Sequence, residues 1–238
     1  MEFVRMSRGS GQVPRVTLYK HRRTVVLFGM IHFAEPQFYS EILRHLEEYE
    51  RNQYAILYEA IDRDCPGVDL SAVEYKKKKA YAQLGQFGIV DQYSAMQPRP
   101  TWQNTDMSLR AVCGRLDGLS AARLRSSNLH FQQMREDPLP MVRGLLHLWD
   151  CVARGTVESK IREHVPNQDV VLHARNEIAV EGIVEASASA HVVAMWGAAH
   201  VPGIVSALVD DHGFSVRSVE WITALNVARL RKAVQNHQ

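Results

Sequence analysis

Val25-Val26-Leu27-Phe28-Gly29-Met30-Ile31-His32 is a short apolar run closed by glycine, two more residues and histidine. Val192-Val193-Ala194-Met195-Trp196-Gly197-Ala198-Ala199-His200 repeats it with one residue of slack, and a proline follows each. Runs of this length suit strands buried on both faces. A glycine at the end lets the backbone pass close to a neighbour, and the histidine then projects beyond the strand. If both strands belong to one sheet, His32 and His200 lie beyond strand C-terminal ends, where open α/β sheets bind ligands.

Random placement of 14 Gly and 11 His over 238 residues predicts roughly 0.65 G-x-x-H matches, and the chain holds three, so the spacing alone does not decide the matter. Gly144-Leu145-Leu146-His147 lies in a helix-like stretch with no strand ahead of it and is set aside. The other two gain weight from their context of strand, glycine, histidine and helix.

Working outward, residues 16–19 and 24–28 read as strands of a hairpin around the charged turn at 20–23. Residues 36–49 place Phe38, Ile42, Leu46 and Tyr49 at helical spacing, with Pro36 suited to the first turn. Residues 54–58 form a compact apolar run ending in Glu59, so 24–59 scans as a parallel crossover unit. A second unit follows: a helix through Ala179, Ile183 and Ala186, the strand at 191–196, a helix at 202–209 and a strand at 214–219 ending in Glu220. The expected fold class is therefore α/β, or α+β: a central mixed sheet from two pseudo-repeated strand-GxxH-helix-strand units. Residues 71–165, broken by prolines near 98–100 and 138–140, are expected to be an α-helical insertion. Residues 1–14 are expected to be a flexible arm, and 1–238 a single domain.

A formal charge of +2 with no basic stripe argues against a nucleic-acid partner. No apolar window is long enough for a membrane span, and the first residues lack a signal-peptide core, so the expected location is the cytoplasm and no membrane partner is expected. Cys65, Cys113 and Cys151 are scattered and read as free thiols. The run from Lys76 to Lys79 reads as a solvated face, and Trp102, Trp149, Trp196 and Trp221 as core or pocket wall.

Imidazoles and carboxylates are the side chains that bind divalent ions near neutral pH, so His32, His200 and Glu59 at adjacent strand ends form a candidate open metal site. Glu59 also reads as a surface carboxylate paired with an arginine. Glu220 is its pseudo-symmetric counterpart.

The chain resembles the TIKI/TraB/PrgY superfamily, in its cytosolic bacterial form, whose relatives include erythromycin esterases and haem-binding ChaN-like proteins. The resemblance rests on Gly29-Met30-Ile31-His32, residues 55–59, Leu84-Gly85 with Gln92, Trp102 with Asp106-Met107, Arg175-Asn176 and Gly197-Ala198-Ala199-His200. It implies a cleft holding both histidines, Glu59 and Arg175 as metal or catalytic residues, with Arg175 an electrostatic anchor. It makes Asp106, Asn176, Gly29 and Gly197 substrate-binding or supporting residues. One departure is His173-Ala174 ahead of Arg175, where the family often carries an acidic residue. The expected activity is metal-dependent hydrolysis, with Mn, Co, Fe or Zn, of an amide or ester in a peptide or small molecule. The alternative is a non-catalytic haem, iron or peptide binder.

Overall fold

In the computed structural model, which describes residues 1–60, 78–108, 111, 137–159 and 172–237, the two apolar runs lie side by side in one sheet. The strands are β1 (Arg5–Ser7), β2 (Ser10–Lys20), β3 (Arg23–Met30), β4 (Phe33–Ala34), β5 (Ala55–Tyr58), β6 (Val90–Asp91), β7 (Gln103–Asn104), β8 (Val192–Gly197) and β9 (Ser215–Asn226). The main helices are α1 (Pro36–Arg51), α2 (Gln92–Ala95), α3 (Leu139–Ala153), α4 (Ala174–Ser189), α5 (Val201–Asp210) and α6 (Val227–Gln235). β3, β8, β5 and β7 run parallel in that order, and β2 joins antiparallel at β3. β1 and β9 both pair antiparallel with β2, while β4 and β6 form a separate two-stranded ribbon.

Both faces of the parallel strands are covered, which explains why they read as unbroken apolar runs rather than alternating ones. Val26, Phe28, Met30, Ile56, Val193 and Met195 pack against Phe38, Tyr39, Ile42 and Leu46 of α1. Val25, Leu27, Leu57, Val192, Ala194 and Trp196 face α4 and α5 through Ala179, Ile183, Ile204 and Leu208. Each fully buried Leu or Ile here contributes about 1.5–3 kcal/mol relative to exposure. α1 begins with Pro36 in its first turn and stops at Asn52-Gln53, where Gln53 takes a left-handed φ of +59° and turns the chain into β5. Among the described residues, no helix is long and apolar enough to cross a membrane.

Three sequence expectations change. Residues 1–14 are not a loose arm: β1 and the first half of β2 belong to the sheet, with Val13 fully buried. Their polar composition reflects strands with a wet face, where Arg5 donates to Gln12 at 2.8 Å. The insertion at 71–165 is helical at α2 and α3 but returns β7 to the sheet and β6 to the ribbon; much of the remainder, including Cys113, lies outside the described residues, as does Cys65 before it. The strand closing the second unit continues past Glu220 to Asn226 and runs along β2, on the far side of the sheet from β5.

Candidate functional site

Every strand of the parallel set ends at the same edge, and each end carries a side chain of interest. Glu59 follows β5, Asp106 follows β7 by two residues, and His200 ends the single 3-10 turn (Ala198–His200) that continues β8. His32 follows β3 by two residues, and Arg175 and Asn176 open α4 above this edge.

Arg175 is the hub. Its Nε and Nη2 make a bidentate pair with Asp106 at 2.8 and 2.7 Å, and Nη2 also donates to Glu59 Oε1. Nη1 lies 3.5 Å from His200 Nε2, at the outer limit of a hydrogen bond. The Asp106 side chain is fully buried, so the pair is shielded from water and from salt. Burial opposes the charge on Arg175, but Asp106 and then Glu59 outweigh it and keep the guanidinium protonated. The acidic partner of this arginine thus comes from the strand-end loop after β7.

Glu59 uses both oxygens, since Oε2 accepts from the Gly197 N–H while Oε1 is held by Arg175. Burial pushes its pKa up, but His200, Arg175 and the Gly197 N–H together hold it below the ordinary 4.5. His200 is 4% exposed, and its ring is fixed by a 2.7 Å bond between Nδ1 and Asn176 Oδ1. An amide oxygen only accepts, so the proton sits on Nδ1 and Nε2 presents a lone pair 3.8 Å from Glu59 Oε1. Burial first, then Arg175 and His32, lower the His200 pKa below 6.5 against Glu59 and Asp106, leaving the ring neutral at pH 7. Trp196 meets it edge-on at 5.2 Å and forms the wall that the sequence expects.

His32 belongs to the same locality, because its charge acts on both Glu59 and His200. It is exposed, however, and its loop is held by the backbone: Gln92 N–H donates to His32 O at 2.9 Å, and Tyr39 OH to Ile31 O at 2.8 Å. Burial raises the Tyr39 pKa, so the hydroxyl remains a donor. The β4–β6 ribbon adds a second tie. Tyr39 does not stand out in the sequence, since helical spacing cannot show that its hydroxyl reaches the histidine loop.

The two motif glycines do different work from a chain reversal, as neither has positive φ. A Cβ on Gly197 would meet Glu59 Oε2 at 3.0 Å and His200 Cδ2 at 3.4 Å, so this glycine makes room for the site. A Cβ on Gly29 would meet Pro14 on β2, so that glycine serves sheet packing. Glu220 is not part of the cluster; it pairs with Arg15 at 3.2 Å. Among the described residues, no three His, Cys, Asp or Glu side chains are grouped tightly enough to hold a metal ion.

Comparisons with family models, with curated proteins and with solved structures gave no match. The chemistry of the strand-end cluster therefore has to be argued from its own geometry.

Proposed function

We propose that the chain is a metal-dependent hydrolase of amide or ester bonds in a peptide or small molecule, acting at the edge formed by Glu59, Arg175, His200 and His32. The observation that supports this most directly is the state of His200: a neutral imidazole, its Nδ1–H fixed by Asn176, with Nε2 beside an ionised carboxylate. That is the arrangement in which Nε2 can serve as a metal ligand, the other ring nitrogen being fixed by a hydrogen bond, with Glu59 beside it as a further ligand or general base. Arg175 places a fixed positive charge beside the same space and favours an anion developing there.

Two imidazoles and a carboxylate are donors that suit a borderline divalent ion, and His32, His200 and Glu59 are the residues that would hold Mn, Co, Fe or Zn. Such an ion would supply a polarised carbonyl and a water of lowered pKa. As placed, the three donors are not grouped closely enough to share an ion and Glu59 is bonded to Arg175 and Gly197, so binding one would require the donors to close and those bonds to yield.

A panel of chromogenic esters and fluorogenic peptides, assayed with each metal and after chelation, tests the reading. Turnover should depend on metal and fall by about 10²–10⁴ in His200→Ala and in His32→Ala, with the circular dichroism spectrum unchanged. Full turnover in either variant would overturn the assignment. A Soret band on haem titration, with no turnover of any substrate, would favour the binding-protein alternative.

A further inference from the structure

At the opposite end of the parallel strands a cleft of about 480 Å³ opens between the second half of α1 and the sheet, and its lining includes Arg15, His45, Glu48, Tyr49, Tyr54 and His191. Tyr54 and His191 immediately precede β5 and β8, whereas Glu59 and His200 follow them, so the two sites are separated by the length of the strands. The volume falls in the range of small-molecule sites, about 300–1,000 Å³.

Arg15 supplies the charge at the base of the cleft. Its side chain is 18% exposed and its guanidinium lies 5.8 Å from the centre of the Phe28 ring. Nη2 donates to Glu220 at 3.2 Å, while the buried Nε–H has no hydrogen-bond partner among the described residues. A guanidinium carries five N–H donors, so much of the capacity of this one remains for a ligand. Burial first, then Arg15 and Arg44, hold His45 below the ordinary imidazole pKa, while Glu41 and Glu48 act the other way. His191 accepts from the Thr24 N–H through Nδ1 at 3.0 Å, so its ring proton is on Nε2 and adds another donor. Tyr54 stacks on His191 at 4.9 Å and Tyr49 lies 4.9 Å from Tyr54, giving one side an aromatic wall. Glu48 is exposed at the rim.

A cation, a carboxylate and an aromatic side wall in one cleft suit a ligand that carries both charges together with a ring. A dianion such as phosphate would face Glu48 and Glu220 together, whereas a zwitterion offers Arg15 and Glu48 an opposite charge each. We propose that this cleft binds a free α-amino acid with an aromatic side chain, its carboxylate on Arg15, its ammonium toward Glu48 and its ring against Tyr49 and Tyr54. This inference goes beyond the hydrolase reading and does not depend on it.

Phenylalanine is the probe, titrated calorimetrically into the full chain beside N-acetylphenylalanine, phenethylamine and inorganic phosphate. Saturable phenylalanine binding is expected, with each analogue weaker by about tenfold, one charge having been removed. Arg15→Gln and Glu48→Gln should each weaken phenylalanine by a similar factor, and His200→Ala should leave it unchanged. Glu48 is exposed, so E48Q keeps the test decisive if R15Q fails to fold. Absence of saturation, phosphate binding tighter than phenylalanine, indifference to E48Q, or loss of binding in H200A would each overturn the proposal.

Discussion

His32 and His200 end the same motif and occupy very different surroundings. His200 is buried, tautomerically fixed and ringed by charge; His32 is exposed, and its loop is held through backbone carbonyls. The register of the two strands accounts for part of this. β3 and β8 pair Gly29 with Trp196 and Met30 with Gly197, so the extra residue in the second run puts the two glycines one step out of phase. Side chains alternate faces along a strand, so a one-residue offset assigns the matching positions to opposite sides. A repeat in sequence has become a division of labour in space, with one histidine built into the structure and the other presented to solvent.

The sharpest way to break this picture is to remove its charge hub. Arg175→Ala leaves Asp106 and Glu59 buried and unpaired, and the expected cost is about 3–5 kcal/mol, read as a lower urea midpoint. A loss within experimental error would mean that the carboxylates are protonated or solvated in the native state. His200→Ala should come next, at about 1–3 kcal/mol, because it removes the bond to Asn176 and the contact with Trp196. His32→Ala should lower the urea midpoint less than His200→Ala, because its side chain is exposed. Equal destabilisation by the two histidine variants would abolish the distinction between them.

Much of this was legible in the residues, for identifiable reasons. Strands covered on both faces write themselves as apolar runs, and α1 shows its buried stripe through Phe38, Ile42 and Leu46, so the first crossover was plain. The convergence of His32, Glu59 and His200 followed from placing strand ends on one edge. Asp106 and Arg175 were reached through family resemblance alone, because no periodicity shows that a residue after the two-residue strand β7 meets the first turn of α4. Residues 1–14 misled because a strand with one wet face and a proline has the composition of a loop. The place of Glu220 was not legible, because two strands ending in glutamate look equivalent until pairing shows one parallel within the sheet and the other antiparallel beside β2.

Acid titration sharpens the comparison further. The folded pKa of His200 lies below 6.5, so as pH falls the unfolded chain takes up the proton first, and stability is lost from about 6.5 down to the folded value. The folded pKa of Glu59 lies below 4.5, so its contribution is present above 4.5 and lost as pH falls through the folded value. The two losses have the same sign, and that of His200 begins at the higher pH. In His200→Ala the upper window should flatten, while His32→Ala keeps it; an upper window that persists in H200A would assign the titration to another group.

The glycines separate the half-units most cleanly. Gly29→Ala places a methyl 3.0 Å from Pro14 Cδ and 3.1 Å from its carbonyl oxygen, so β2 and β3 must shift by a few tenths of an ångström. Gly197→Ala places one 3.0 Å from a carboxylate oxygen and 3.4 Å from the His200 ring, so the strain is relieved by moving Glu59. Overpacking of this kind costs about 1–3 kcal/mol where the neighbours are rigid and less where a side chain can rotate away. G29A should therefore lower the melting temperature with kcat unchanged, and G197A should lower kcat with a smaller thermal shift. The reverse pattern would show that Gly29, not Gly197, borders the reacting groups.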